Sequence, residues 1–147
     1  MGNFLLNQVI LAIITCLGII NHKINPILAQ IELKHMNVQV INKIKDEGKG
    51  SKLYLHCKSR DDDLGMQQLL RGQHLQWHFG VNFWMTTLYF CHFYWREQNR
   101  SFVVFKAGDE DAWCDHWVFW EVRNNGFYLT CDASKASSWV KMHNWDG

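Results

Sequence analysis

Residue types that carry catalytic or metal chemistry are present in this chain, but their spacing assembles no familiar site. His74 and His78 are four residues apart, which is the spacing of two zinc ligands on a helix. Apolar and polar residues alternate around them, which predicts a strand, and on a strand the two side chains would lie about 13 Å apart. The sequence contains no H-E-x-x-H, G-x-S-x-G or P-loop motif. We therefore expect a protein that is not an enzyme and that binds no metal ion or other cofactor.

Two runs of three consecutive acidic residues are the remaining candidates for a site. Neither has the D-x-D-x-D-G spacing of a calcium loop, and the first run, 61–63, is interpreted as capping a turn through backbone amides. The second run consists of Asp109, Glu110 and Asp111. No lysine or arginine follows it before Arg123. An exposed acidic loop is most often only solvated. Our functional hypothesis is that these three carboxylates steer a basic patch on a partner.

Length and charge exclude several classes of protein. The 147 residues suffice for one domain and are too few for two ordinary ones. An apolar fraction of 48% with eight tryptophans excludes a disordered chain. Lysine and arginine number 15 against 14 acidic residues, and no run of basic residues offers a face for nucleic-acid phosphates. We expect no nucleic-acid partner.

Residues 1–29 are predicted to be a signal peptide and residues 30–147 the folded domain. The apolar run Val9–Ile20 is twelve residues long. This is shorter than the roughly twenty residues of a membrane-spanning helix, but it suits the hydrophobic region of a signal peptide. Cleavage is expected after Ala29, with cleavage after Gly18 or an uncleaved anchor as the alternatives. The mature protein is therefore expected to be secreted and not inserted into a membrane.

The cysteines predict two disulfides. Loss of the leader removes Cys16 and leaves an even number of cysteines, which in a secreted domain favours pairing. No C-x-x-C pair occurs, so a zinc ribbon or a thioredoxin-like site has no support. Three pairings are conceivable. We favour Cys91 with Cys114, because one predicted strand and a loop separate them and would let them face each other, together with Cys57 and Cys131.

The hydrophobic pattern predicts an all-β protein. Apolar residues alternate from Leu75 to Phe83, and Thr86–Trp95 is β-branched and aromatic on both faces, as in a central strand. Turn residues separate such segments, most clearly at Asn124-Asn125-Gly126. The sequence lacks an amphipathic helix and predicts a small antiparallel β-sandwich of about seven to eight strands with two disulfides.

One acceptor site for N-glycosylation is present. Asn99-Arg100-Ser101 is the only N-x-S/T sequence in the chain. It falls between predicted strands that end at Trp95 and begin at Phe102, so it should be exposed at the tip of a hairpin. We predict a glycan on Asn99.

A ten-residue block gives the chain a family resemblance. His56–Gly65 (HCKSRDDDLG) resembles the signature of the plant self-incompatibility proteins, also called S-protein homologues. Further matching motifs occur in order, including V-x-V-x-N from Val38, T-L-Y-F-C from Thr87 and C-x-x-W from Cys114. The resemblance runs from about residue 35 to residue 145. Lys43 is one departure, because the family more often has a second asparagine there.

The resemblance implies a small secreted plant protein with a disulfide-linked β-sandwich. The founding members of the family are stigmatic proteins that signal to incompatible pollen through a cell-surface receptor, and the resemblance implies a similar role here. The expected partner is therefore a receptor protein, and the expected state is a monomer. A secreted defence or developmental protein without a role in self-incompatibility is the alternative.

Overall fold

The structure is a computed structural model that describes residues 34–45, 52–109 and 114–145, together with residues 8, 10 and 12–16 near the N-terminus. The chain divides into two compact units, Met1–Leu33 and Lys34–Gly147. Residues 12–16 are helical. Across the described residues, no helix is both long enough and apolar enough to cross a membrane. The signal peptide and its cleavage site remain predictions.

Nine strands make up the described part of the second unit. In chain order they are β1 His35–Asn42, β2 Leu53–Lys58, β3 Asp63–Leu69, β4 His74–Gly80, β5 Leu88–Trp95, β6 Gln98–Lys106, β7 Trp117–Arg123, β8 Gly126–Thr130 and β9 Val140–His143. A single 3-10 turn covers Ala136–Ser138. The all-β prediction is confirmed. The strand that sequence reasoning missed is β3, which lies at a sheet edge and buries only Leu69, so apolar alternation does not reveal it.

The strands form two sheets that pack face to face. One sheet has the order β4-β1-β7-β8-β9 and the other β3-β2-β5-β6. Pairing is antiparallel except between β1 and β7, which run parallel. Side chains alternate between the faces of a strand. Those facing inward meet across the sandwich, where the rings of Phe93 and Phe127 have centroids 4.9 Å apart and the Trp120 indole donates to the Val104 carbonyl at 2.9 Å.

Each disulfide joins two neighbouring strands of one sheet or the segments that flank them. Cys57 and Cys91 stand directly opposite each other on β2 and β5, with Cα atoms 4.1 Å apart. Cys114, before β7, is bonded to Cys131, after the neighbouring β8, with Cα atoms 5.1 Å apart. Two disulfides are confirmed, but the predicted pairing of 57 with 131 and of 91 with 114 is wrong. That pairing would link the β2–β5 sheet to the segments beside β7 and β8, whereas the register places Cys57 opposite Cys91, and Cys114 and Cys131 both flank neighbouring strands of the other sheet.

Consecutive strands run in opposite directions, so the connections alternate between two ends of the sandwich. At one end, called here the loop end, lie the connections 59–62, 81–87 and 131–139 and the described parts of the β6–β7 connection, 107–109 and 114–116. At the opposite end lie the connections 70–73, 96–97 and 124–125 and residues 43–45, which follow β1. The predicted turn at Asn124-Asn125-Gly126 is confirmed. Gly126 has φ +135°, and a Cβ there would lie 2.2 Å from the His143 carbonyl oxygen, so β9 packs closely because this residue is glycine.

Candidate functional site

Three consecutive large apolar side chains stand exposed at the apex of the β4–β5 loop. Phe83, Trp84 and Met85, called here the apolar tip, are 67%, 78% and 47% exposed. The Phe83 and Trp84 rings contact each other edge to face, with centroids 5.3 Å apart. Contiguous exposed apolar surface on a folded protein marks an interaction site more often than scattered apolar residues do. The apolar tip is therefore the first candidate for a recognition site.

Asn82 holds the loop that carries the apolar tip. Its side-chain amide donates to the Thr86 hydroxyl at 2.8 Å, while its side-chain oxygen accepts from the Thr86 N–H at 2.8 Å. Its backbone N–H donates to the Thr87 hydroxyl at 2.9 Å, and its carbonyl accepts from Met85 at 3.0 Å. Each such bond contributes about 1 kcal/mol. Together they present the tip from a fixed loop, and Met85 adopts the left-handed φ of 54° that the closed loop requires.

Sequence reasoning missed the apolar tip because the alternation of apolar residues runs on past the end of the strand. Val81 is still buried at 2% exposure, and Phe83 has the same parity. The prediction of one continuous strand to Phe83 is wrong, since β4 ends at Gly80. Asn82, which follows the buried Val81, is the sequence signal that could have indicated the turn.

A shallow cleft of about 480 Å³ lies between the β4–β5 loop and the β2–β3 turn. At its wall the Tyr89 hydroxyl donates to the Asp62 carboxylate at 2.6 Å, while the Tyr89 ring packs against Phe79 with centroids 4.5 Å apart. Burial, followed by the hydrogen bond to Asp62, raises the pKa of Tyr89 to about 12. The phenol therefore stays protonated at physiological pH and acts as a hydrogen-bond donor that ties β5 to the β2–β3 turn.

The first acidic run has structural contacts. The Ser59 hydroxyl accepts from the backbone N–H groups of Asp61 and Asp62 at 3.2 and 3.0 Å. Asp63 contacts His56 at 2.5 Å and accepts from the Gly65 N–H at 2.8 Å. The hydrogen bond from His56 lowers the pKa of Asp63. These contacts support the interpretation of 61–63 as a turn-forming segment.

The histidines and carboxylates of the described ranges do not converge on a metal-binding point. His74 and His78 lie on β4, as predicted for a strand. His78 stacks on His35, with ring centroids 5.1 Å apart and planes 6° apart. Among residues 34–45, 52–109 and 114–145, no group of three His, Cys, Asp or Glu side chains is placed to hold a metal ion.

The second acidic run begins in the connection that follows β6. The Ala107 N–H donates to the Thr87 carbonyl at 2.9 Å, which joins this connection to the β4–β5 loop. Asp109 is exposed and its carboxylate lies 3.0 Å from the Lys106 Nζ. Sequence reasoning did not anticipate this ion pair. Both side chains are more than half exposed, so the pair is worth at most about 1 kcal/mol. Glu110 and Asp111 lie outside the described residues.

Asn99 lies at the opposite end of the sandwich. It is the second residue of β6, two residues after the turn Arg96-Glu97, and it is exposed. Ser101, two residues on, faces the same side and its hydroxyl contacts His92. The position is accessible, although it belongs to the strand and not to the tip of the hairpin. The glycan itself remains a prediction.

Comparison with known proteins places the chain in a family. The family model described as "Plant self-incompatibility protein S1" matches residues 37–145. S-protein homolog 19 of Arabidopsis thaliana is 37% identical over 108 residues, which cover 74% of this chain and 79% of that protein. S-protein homolog 18 of Arabidopsis thaliana is 42% identical over 103 residues, covering 69% and 75%.

A solved structure shares the fold. It is described as a self-incompatibility protein homologue from a widespread family of small, highly stable, secreted plant proteins. The two structures agree with a TM-score of 0.55 at 16% sequence identity, over 70% of this chain and 90% of the other. The matched motifs, the identity to the Arabidopsis proteins and this shared sandwich lead to one conclusion: the chain belongs to the plant self-incompatibility protein S1 family.

Proposed function

We propose that this protein is a secreted recognition protein that binds a cell-surface receptor through its loop end. The observation that carries the proposal is the apolar tip, which presents Phe83 and Trp84 to solvent on a loop closed by Asn82. Exposed aromatic residues on a rigid support are the usual anchors of protein interfaces, because they bury much area at little entropic cost. The description of the solved relative as secreted supports an extracellular location.

In this proposal the acidic connection after β6 has a different task from the apolar tip. Asp109, with Glu110 and Asp111 next in the sequence, attracts a basic patch on the receptor and raises the association rate. The apolar tip then sets the lifetime of the complex, because desolvated aromatic anchors dominate dissociation. Lys106 offsets one of the three negative charges.

We further propose that the protein acts by binding and not by catalysis, as a monomer. The Asp62 carboxylate, which lines the loop-end cleft, already accepts a hydrogen bond from Tyr89. Tyr89 keeps its proton near neutral pH and cannot act as a base there.

Pollen rejection and a defence or developmental role both use the same receptor-binding step. The tissue that expresses the protein distinguishes them, with stigma or style expression favouring pollen recognition.

The test replaces the aromatic anchors and measures binding to intact cells. The full chain is expressed in plant cells, and the secreted wild type and the double variant Phe83→Ala/Trp84→Ala are labelled and titrated onto pollen, stigma and root cells. We expect saturable binding by the wild type and at least about thirtyfold weaker binding by the variant, as for the loss of a hot spot of about 2 kcal/mol.

Met66→Ala is the matched control, because Met66 is an equally apolar side chain, 58% exposed on β3 and outside the loop end. It should bind like the wild type. Equal binding by wild type and by a correctly folded double variant would refute a receptor-binding role for the apolar tip.

A further inference from the structure

The end of the sandwich opposite the loop end carries a basic cleft that the proposed receptor surface does not use. The cleft has a volume of about 470 Å³ and lies between the segment after β1, the β3–β4 turn and the β7–β8 turn. Its described lining residues are Lys43, Lys45, Arg71, Glu121, Arg123, Asn124 and Asn125. Four cationic side chains and one carboxylate therefore face one concave site. The whole chain has a formal net charge of only +1, so this is a local concentration of positive charge.

The single carboxylate among the described residues of this basic cleft is already neutralised. Glu121 lies 2.6 Å from the Arg123 guanidinium, and their side chains are 13% and 34% exposed. The guanidinium also lies over the Tyr128 ring, 3.9 Å from its centroid, so it is fixed on two sides. The other three cations are exposed and form no ion pair within the part of the chain that the structure describes. Positive charges that no described carboxylate neutralises favour the binding of an anion.

Two asparagines hold the segment that carries two of these cations. The buried Asn42 amide donates to the Leu69 carbonyl at 2.9 Å and accepts from the Ile44 N–H at 3.0 Å. Asn124 bonds both backbone groups of Lys45, accepting from its N–H at 2.7 Å and donating to its carbonyl at 2.7 Å. Ile44 is fully buried, so Lys43 and Lys45 on either side of it are turned to solvent. Both ammonium groups thus extend from a backbone that is fixed before any ligand arrives.

We infer that the basic cleft binds an acidic oligosaccharide through the carboxylates of its uronic acids. The cleft is concave, and every described side chain that lines it is charged or an amide, which suits a hydrated sugar chain. A bilayer surface is flat and takes apolar wedges between basic residues, whereas the exposed apolar tip belongs to the other end of the molecule. Cations carried by three separate chain segments can each pair with one of the carboxylates that repeat along a polymer. The choice of a polysaccharide also rests on the proposed extracellular location.

The test uses the protein secreted from plant cells that express the full chain and measures its binding to oligogalacturonate by calorimetry at two salt concentrations. We expect binding that weakens as salt rises. The triple variant Lys43→Gln/Lys45→Gln/Arg71→Gln should bind at least tenfold more weakly. A charge-matched control, Arg60→Gln/Lys106→Gln/Lys135→Gln, removes three exposed cations from the loop end and should stay within twofold of the wild type.

Further arms of the experiment identify the ligand class. Fully methyl-esterified oligogalacturonate has the same sugar backbone without charge and should not bind. Inorganic phosphate and vesicles containing 30% phosphatidylserine, at about the same concentration of negative charge, should bind at least tenfold more weakly than oligogalacturonate. The inference is overturned by absence of binding to oligogalacturonate, by equal loss in the two triple variants, or by stronger binding to vesicles. Receptor binding is not measured in this experiment, so its result is separate from that of the tip variants.

Discussion

The hydrogen bond between Tyr89 and Asp62 makes the stability of the fold sensitive to alkaline pH. Tyr89 is 2% exposed, and its hydroxyl joins β5 to the β2–β3 turn at 2.6 Å. Its pKa rises from 10.0 to about 12 because burial, and then the hydrogen bond to Asp62, oppose ionisation. The folded pKa exceeds the unfolded one. The stabilising contribution is therefore fully present below pH 10 and is lost as the pH rises through 12.

The size of this contribution follows from the pKa difference. A difference of two units corresponds to about 2.7 kcal/mol for a group shielded from solvent. The Tyr89 hydroxyl borders the loop-end cleft, so solvent screening reduces the expected value to about 1–2 kcal/mol. Tyr89→Phe keeps the ring and its packing but removes the hydroxyl. We expect this variant to lose about 1–2 kcal/mol at pH 8.

The measurement is guanidinium unfolding followed by tryptophan fluorescence at pH 8 and at pH 11.5. Between these pH values the free energy of unfolding should fall further for the wild type than for Tyr89→Phe, because only the wild type has this phenol to ionise. Tyr94→Phe is the matched control, since Tyr94 is 41% exposed, and it should follow the wild type. An equal fall for wild type and Tyr89→Phe would refute the assigned role of the hydrogen bond.

Three further predictions concern the loops and the covalent modifications. Neutralising the acidic run, with Asp109→Asn, Glu110→Gln and Asp111→Asn combined, should slow association with responding cells by about tenfold at low salt and by less at high salt, whereas on-rates that stay the same would leave the run as ordinary solvated surface. Asn99→Gln and Ser101→Ala should each abolish a mass loss that glycosidase causes in the plant-made wild type; no such loss in the wild type would show that the acceptor is unused. A non-reducing peptide map should join Cys57 to Cys91 and Cys114 to Cys131, and Cys57→Ser/Cys91→Ser should cost about 3–4 kcal/mol in chemical unfolding; recovery of a Cys57–Cys131 peptide would contradict the described register.

Strand positions could be predicted from the sequence because burial of one face imposes local alternation. Val38 and Val40 on β1 and Leu53 and Leu55 on β2 are fully buried, as their spacing indicates. Alternation of apolar residues did not predict the structure where a strand is paired but little buried, or where an apolar residue lies outside the sheet. Edge strand β3 pairs with β2 while presenting mostly polar or partly exposed residues. Phe83 has the parity of a core residue yet lies outside the sheet.

Features formed by distant parts of the chain were not predictable in this way. The disulfide partners depend on which strands are neighbours, and β2 pairs with β5 over a separation of 34 residues. The basic cleft was missed for a similar reason. Its cations come from positions 43, 45, 71 and 123, so no basic run appears in the sequence. Counting charges along the chain therefore excluded a basic face for nucleic-acid phosphates. It could not detect a basic cleft whose cations are brought together only by the fold.

The alternation of connections between two ends has a consequence for how the sequence of this protein can vary. Strand β5 has eight residues, so the two ends lie about 26 Å apart. Substitutions separated by more than about 10 Å without shared partners have additive effects on free energy. A change in the apolar tip should therefore leave the energetics of the basic cleft untouched, and the reverse should also hold. Each end can diversify under its own selection, while the buried alternation between them keeps the fold constant.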